Sequence, residues 1–349
     1  MDTQLFDFVA RPRIAWLTVN RACNFRCPWC YSQPVGYAAA DTLPVELGKR
    51  IIEIAKDIGV EHIKFIGGES TIYDGLSELN STCKDSGITT CLVTNACRFG
   101  DDAYWMKYLR NPCDEAGISV KGASAENFKI IGAKNLYSQT SLGIKRALEY
   151  YQCGVSTVLN DVIGVDGLKN IARKCKDWGA TSFSVSLCNP LNENGSVEEG
   201  NATNLQWLID EVVALHPFLD KLYGGRVNFE LYLPLCLLPR DFLNVVLAKG
   251  QALTICNVHD RSGLVFNTNG NVLICNELAS GVVARYGEDF TDARSLLYHL
   301  NGAKTVGNYR ELLRYPSAEC SICSKNAICK GGCLVNWLTV NPSVCKCIQ

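Results

Sequence analysis

The sequence predicts an α/β fold, a partial (β/α)₆ barrel followed by a smaller cysteine-rich module. Three observations carry that expectation. Between residue 14 and about residue 187, short β-branched runs alternate with amphipathic segments, the pattern of a parallel sheet covered by helices. The 349 residues are 47% hydrophobic and 20% charged, enough to bury one large core and a satellite. Eight of the 19 cysteines fall between Cys256 and Cys347, so the last part of the chain is organised differently from the rest.

The formal net charge of −1, without a long run of Lys or Arg, leaves no electrostatic footprint for nucleic acid. The start carries Asp2 and Asp7 where a secretion signal has basic residues. No stretch approaches the roughly 20 apolar residues that span a bilayer. The expectation is a cytoplasmic protein with no nucleic-acid or membrane partner. Nineteen cysteines in a long chain, an odd count without a signal peptide, point to metal binding over a disulfide scaffold.

The first expected strand, 14–19, delivers the chain into Cys23-Asn24-Phe25-Arg26-Cys27-Pro28-Trp29-Cys30. The spacing C-x₃-C-x₂-C supplies three thiolates, whereas a four-iron cluster takes four soft ligands. One iron is therefore left open to a group that is not protein. A structural zinc knuckle is the plainer alternative. Helical periodicity follows over 44–59, with Asp41 and Thr42 as candidate caps and Val45, Ile51, Ile52 and Ile54 for its buried face. A strand at 62–66 then ends in Gly67-Gly68-Glu69. Glycines let backbone approach a ligand closely and a carboxylate accepts from an ammonium, although a Gly-Gly pair alone is usually a turn.

Further strands are expected at 89–94, 117–121, 156–162 and 182–187. Chemistry in such sheets collects at the carboxyl ends of the strands. That rule nominates Asn95, Ser119, Lys121, Asn160 and Asn189, each against the competing reading of a strand cap or solvated loop residue. A polar loop at 187–200, an amphipathic helix at 203–222 and a strand at 226–231 lead to the second module. The expected division is an extension 1–13, a barrel 14–235 and a cysteine module 236–349.

The module reads Cys256, thirteen residues, Gly270, four residues, Cys275, then Cys320-x₂-Cys323-x₅-Cys329-x₃-Cys333, then Cys345 and Cys347. Asn267-Thr268-Asn269-Gly270 marks a tight turn between two alternating strands. Eight thiolates suffice for two fully ligated four-iron clusters; a zinc ribbon over 320–333 is the alternative. Cys83, Cys91, Cys97, Cys113, Cys153, Cys175, Cys188 and Cys236 remain, and free cysteines are mostly buried small hydrophobes.

The cysteine loop, Trp29 before its third cysteine, and Gly67-Gly68-Glu69 behind one helix and one strand resemble the signature of the radical S-adenosylmethionine (SAM) superfamily. The module resembles the SPASM domain in every element of its cysteine pattern. The resemblance implies a TIM-like partial barrel, SAM, and three 4Fe-4S clusters. One cluster would sit on Cys23, Cys27 and Cys30, with the amino and carboxylate groups of SAM on its open iron. Gly67, Gly68 and Glu69 would bind the amino group, while Asn95, Ser119, Lys121, Asn160 and Trp29 would hold the rest of SAM. An inner auxiliary cluster would use Cys256, Cys275 and Cys333, and an outer one Cys320, Cys323, Cys329 and Cys345. Cys347 completes the inner cluster or exchanges roles with Cys345; otherwise the inner cluster keeps an open iron or recruits Cys236.

The activity so implied is reductive cleavage of SAM to a 5'-deoxyadenosyl radical, hydrogen abstraction, and modification of a ribosomally made peptide by crosslinking, oxidation or decarboxylation. One alternative is chemistry on a sugar, nucleoside or amino acid. Another is peptide epimerisation with Cys97 or Cys188 as hydrogen donor, since both follow barrel strands. A plain electron carrier is disfavoured, because it has no use for a SAM site. The implied partners are an electron donor such as flavodoxin or ferredoxin and a peptide substrate. Many relatives open with a winged-helix leader-binding domain, and here the first strand begins about a dozen residues in. A separate leader-peptide recognition protein is therefore expected.

Overall fold

The computed structural model describes residues 10, 12–190, 192, 193, 196, 197, 204–254, 256, 257, 261–278, 281–312 and 317–338. Cys345 and Cys347 lie outside the described residues. Strands and helices alternate as expected: β1 (Ile14–Asn20), α1 (Val45–Asp57), β2 (His62–Gly67), α2 (Leu76–Asp85), β3 (Thr89–Thr94), α3 (Asp102–Tyr108), β4 (Glu115–Ser119), α4 (Ala125–Ile130) and α5 (Tyr137–Tyr151). β5 (Val155–Leu159), α6 (Gly164–Asp177) and β6 (Phe183–Leu187) follow. After a short hairpin, β7 (Asn192–Glu193) and β8 (Ser196–Val197), come α7 (Leu205–Tyr223) and β9 (Val227–Glu230). α8 (Arg240–Ala248), β10 (Ala252–Leu253), β11 (Gly263–Phe266), β12 (Val272–Leu273) and β13 (Val282–Ala284) complete the sheet.

Its order is β10-β9-β6-β5-β4-β3-β2-β1-β11-β12-β13, parallel from β10 to β11 and antiparallel thereafter. The sheet is open, with β10 and β13 at its edges. Period-two alternation builds its two faces. Ala15, Leu17 and Val19 of β1, Ile63 and Phe65 of β2, and Phe183 and Val185 of β6 enter the core beneath the helices. Trp16, Lys64, Ser184 and Ser186 keep partial solvent access on the other face.

Two pairings of expected strands were not themselves expected. β9 joins β6 in parallel, pairing Phe183 with Val227, so the barrel sheet runs past six strands. β11 pairs with β1, Ile14 opposite Gly263, and covers what would otherwise be an open edge. The sheet therefore continues across residue 235.

Several boundaries differ from expectation. α1 begins at Val45 behind Pro44, and neither Asp41 nor Thr42 caps it. Asp41 instead accepts from the Thr268 hydroxyl, and Thr42 Oγ1 donates to the Val19 carbonyl at 3.3 Å, tying the cysteine loop's return to β1 and the module. The fourth strand is Glu115–Ser119, started where Asp114 accepts from the Thr90 N–H at 2.8 Å, so Lys121 lies beyond its end. β5 stops at Leu159 because Asn160 Oδ1 accepts from the Ile163 N–H at 2.9 Å and turns the chain. Gly270 meets its expectation: φ is +75° and its N–H donates to the Asn267 carbonyl at 3.0 Å between β11 and β12. Among the described residues no helix is long and apolar enough to cross a membrane.

Candidate active site

Gly67 and Gly68 are needed first by the chain itself. The Gly68 N–H donates to the Asn20 carbonyl at 2.9 Å and the Glu69 N–H to the Ala22 carbonyl at 2.7 Å. The end of β2 is thereby laid against the entry to the cysteine loop. A Cβ on Gly68 would meet the carbonyl oxygens of Arg21 and Ala22 at 2.3 Å, and one on Gly67 the Asn20 carbonyl at 2.5 Å. We expect Gly68→Ala to push the loop outward at a cost of about 2–3 kcal/mol, since rigid backbone cannot yield as a side chain does. Chemical denaturation and iron content check this together, and wild-type values for both would refute it.

Glu69 is 2% exposed and accepts four hydrogen bonds. Oε1 takes the Thr71 N–H at 3.1 Å, the Thr71 hydroxyl at 2.6 Å and the Thr94 hydroxyl at 2.5 Å. Oε2 takes the Asn95 N–H at 2.8 Å. A carboxylate offers about four lone-pair sites, two on each oxygen, so remaining capacity for a ligand ammonium lies on Oε2. Asn95 continues the chain of contacts: Nδ2 donates to Asn24 Oδ1 at 2.8 Å, and Oδ1 accepts from the Cys97 N–H at 2.9 Å. Glu69 and Asn95 thus fasten the ends of β2 and β3 to the cysteine loop. Asn24, Thr71 and Thr94 escaped the sequence reading because their importance rests on pairings across strands.

In the loop itself the Cys30 N–H donates to the Cys27 carbonyl at 3.1 Å, and the Phe25 N–H to Cys23 Sγ at 3.4 Å. The Arg26 guanidinium donates to the carbonyls of Cys23 at 2.6 Å and Phe25 at 2.8 Å, while the Arg26 backbone N–H donates to the Ile131 carbonyl at 2.8 Å. Phe25 packs edge-on against Phe128, centroids 5.4 Å apart, in an apolar nest with Cys27, Cys97 and Ile131. Burial pushes the Cys23 thiol up to about 12, opposed by the Phe25 N–H and reinforced by Glu69, Cys27 and Cys30. Burial also pushes Cys27 up to about 11, opposed by the Lys121 ammonium. Iron held by these thiols would reverse this preference, because a metal takes the thiolate and releases the proton.

The remaining nominated residues divide. Lys121 faces the cysteine loop, and its Nζ donates to Ser119 Oγ at 2.6 Å, so the two act as a pair at the end of β4. Asn160 is a turn cap: besides the Ile163 contact, its Nδ2 donates to the Val158 carbonyl at 2.9 Å. Trp29 packs against the apolar nest, and its Nε1 is buried without a hydrogen-bond partner among the described residues. Cys97 is buried beneath the loop beside Asn24 and Thr140, whereas Cys188 follows β6 and its thiol approaches the Asn189 carbonyl at 3.5 Å.

Asn189 leads to the module. Its side chain hydrogen-bonds Glu277, a residue absent from the sequence reading, whose carboxyl is pushed up to about 7 by burial against that hydrogen bond. Glu277 bears electrostatically on Cys275 and Cys333, and Cys256 on both as well, so the three proposed inner ligands gather around it. Burial raises the Cys275 thiol and pushes Cys333 up to about 12. On the barrel side Glu277 also disfavours ionisation of Tyr31, which immediately follows the third loop cysteine. Tyr31 and Glu277 both keep partial solvent access.

The donor set is one of thiolates in groups, the soft ligands that hold iron-sulfur clusters. Around the loop, Asn20 Oδ1, Trp29 Nε1 and Ser70 Oγ are buried without hydrogen-bond partners among the described residues, a pattern that a polar ligand completes.

Fold and site together define a partial-barrel protein with a three-thiol loop at the carboxyl ends of its strands. Residues 17–183 match the radical SAM superfamily, and the chain carries that family's domain, which belongs to iron-sulfur enzymes that use SAM. A probable GTP 3',8-cyclase of Thermococcus kodakarensis is 26% identical over 42% of this chain and 47% of its own length. PqqA peptide cyclase of Granulibacter bethesdensis is 26% identical over 48% of this chain and 45% of its own length. The chain thus spans about half the length of these curated relatives. Streptococcus suis SuiB bound to its precursor peptide SuiA shares the fold with TM-score 0.68 and 18% identity, over 96% of this chain and 76% of that one. The anSMEcpe structure with bound AdoMet and the Cp18Cys peptide has TM-score 0.66 and 17% identity, over 92% of this chain and 89% of that one.

Proposed function

We propose that this protein is a radical SAM enzyme that abstracts hydrogen from a ribosomally made peptide and modifies it oxidatively. The observation that carries the reading is the approach of the loop to the module, where Glu277 bears electrostatically both on Tyr31, just beyond Cys30, and on Cys275 and Cys333. A substrate seated there would meet hydrogen abstraction on one side and an electron acceptor on the other. A cluster on Cys23, Cys27 and Cys30 would supply the electron that cleaves SAM to a deoxyadenosyl radical. Glu69 and Asn95 hold the loop in register with the strand ends, and Lys121 offers an ammonium to a carboxylate. The face formed by β6 and β9 presents Ser184 and Asn228 with partial solvent access, donors and acceptors fit for peptide amides, beside Ser186, whose hydroxyl donates to Glu230 Oε2 at 2.5 Å. Likeness of fold to SuiB and anSMEcpe, both seen with peptides, supports the same substrate class. The reductant, such as flavodoxin or ferredoxin, a separate leader-recognition protein, and the division into barrel 14–235 and cluster module 236–349 belong to this proposal.

The expected test is uncoupling. Removing Cys256 and Cys275 should preserve 5'-deoxyadenosine formation and stop product, because hydrogen abstraction precedes departure of the electron. Product formed at the wild-type rate would overturn the oxidative route. The sequence relatives that act on GTP favour a second reading, a small-molecule substrate. In that case deoxyadenosine formation would rise with nucleotides and not with peptides. For a peptide epimerase, Cys188→Ala or Cys97→Ala would uncouple the reaction with every cluster intact, and the wild-type product would carry solvent deuterium.

A further inference from the structure

At the outer end of the module, Cys320, Cys323 and Cys329 line a hollow together with Pro234 and Cys236. Cys236 stands far from these cysteines in sequence, inside the single turn Leu235–Leu237 that follows β9. Its position is held by backbone. The Leu235 N–H donates to Cys329 Sγ at 3.4 Å, the kind of contact that stabilises a thiolate. The Cys333 N–H donates to the Tyr232 carbonyl at 2.8 Å, and Asn336 Nδ2 reaches the same oxygen at 2.9 Å. A Cβ on Gly332 would meet the Leu233 carbonyl carbon at 2.5 Å, so residues 232–236 press directly on the cysteine segment. Cys236 and Cys320 both lie within electrostatic reach of Cys329.

We infer that Cys236 is the fourth protein ligand of the outer auxiliary cluster, completing the set Cys320, Cys323 and Cys329. The inference rests on the reading of two auxiliary clusters. It differs from the assignment of Cys345 to the outer cluster and from recruitment of Cys236 to the inner one. Cys345 and Cys347 are then both available to the inner set of Cys256, Cys275 and Cys333. The outer cluster becomes a crosslink between the chain leaving β9 and the segment 320–329. Cluster loss should therefore loosen the module from the barrel, since binding free energy of such a site is also folding free energy.

The test compares Cys236→Ala, Cys236→Ser and Cys323→Ala in the full chain after anaerobic reconstitution. Iron and sulfide are counted, and cluster potentials are titrated by electron paramagnetic resonance. Cys236→Ala should lose about one to four irons, a corner or the whole of one cluster. Cys236→Ser should keep its iron and move one potential, because an alkoxide replaces a thiolate. Should Cys236→Ala fail to fold, as judged by circular dichroism, the serine variant decides alone. Wild-type iron and unmoved potentials in the folded Cys236 variants, with cluster loss in Cys323→Ala, would overturn the inference and leave the outer cluster standing. Wild-type iron in Cys323→Ala as well would remove the outer cluster itself, and the inference with it.

Discussion

Replacing Cys23, Cys27 and Cys30 together with alanine is expected to reduce the reconstituted chain from about twelve irons to about eight and to abolish SAM cleavage altogether. The fall should be confined to one cluster, because the apolar nest of Phe25, Phe128 and Ile131 packs without the thiols' charge and keeps the loop folded. Iron and sulfide analysis alongside 5'-deoxyadenosine release measures both effects. A wild-type preparation holding only zinc, or only four irons, would remove the three-cluster reading, and residual SAM cleavage in the triple variant would remove the loop from the chemistry.

Glu69→Ala is expected to damage both binding and fold. A charged hydrogen bond to the SAM ammonium contributes roughly 1.5–3 kcal/mol, so affinity should fall about tenfold to a hundredfold. The same deletion leaves the Thr71 N–H and hydroxyl, the Thr94 hydroxyl and the Asn95 N–H without their acceptor. With each such buried group worth about 1–3 kcal/mol and partial relief by water, the expected loss of stability is about 3–5 kcal/mol. Glu69→Gln separates the two roles. Its carbonyl can serve the three donors at Oε1, while its amide group opposes the Asn95 N–H, so stability should fall by only about 1–3 kcal/mol. Urea unfolding and SAM titration of both variants check the pair. Unchanged SAM affinity in a folded Glu69→Ala chain would mean that the carboxylate serves the fold alone.

Much of the site was legible because it is written in local spacing. Three thiols within eight residues, a strand closing on Gly67-Gly68-Glu69, and Gly270 at a positive-φ turn are constraints that one segment satisfies by itself. The six barrel strands were legible for the same reason, since a period-two run records its own burial. Boundaries moved where a distant side chain decided them. Asp114 starts β4 by bonding Thr90, and Asn160 ends β5 by bonding Ile163, which left Lys121 outside its expected strand and made Asn160 a cap.

By itself the sequence determined the chemistry available to this protein: soft thiolate ligands in groups, a carboxylate behind two glycines, and an alternating α/β chain to carry them. Only the tertiary structure decided which of these groups meet. It turned Glu69 toward Thr94 and Asn95, brought Glu277 within electrostatic reach of both Tyr31 and Cys275, extended the barrel sheet with β9 and β11, and set Cys236 beside Cys329. The physical reason is that ligand type is a property of single residues, whereas ligand grouping depends on contacts between segments distant in the chain, which no periodicity or spacing records.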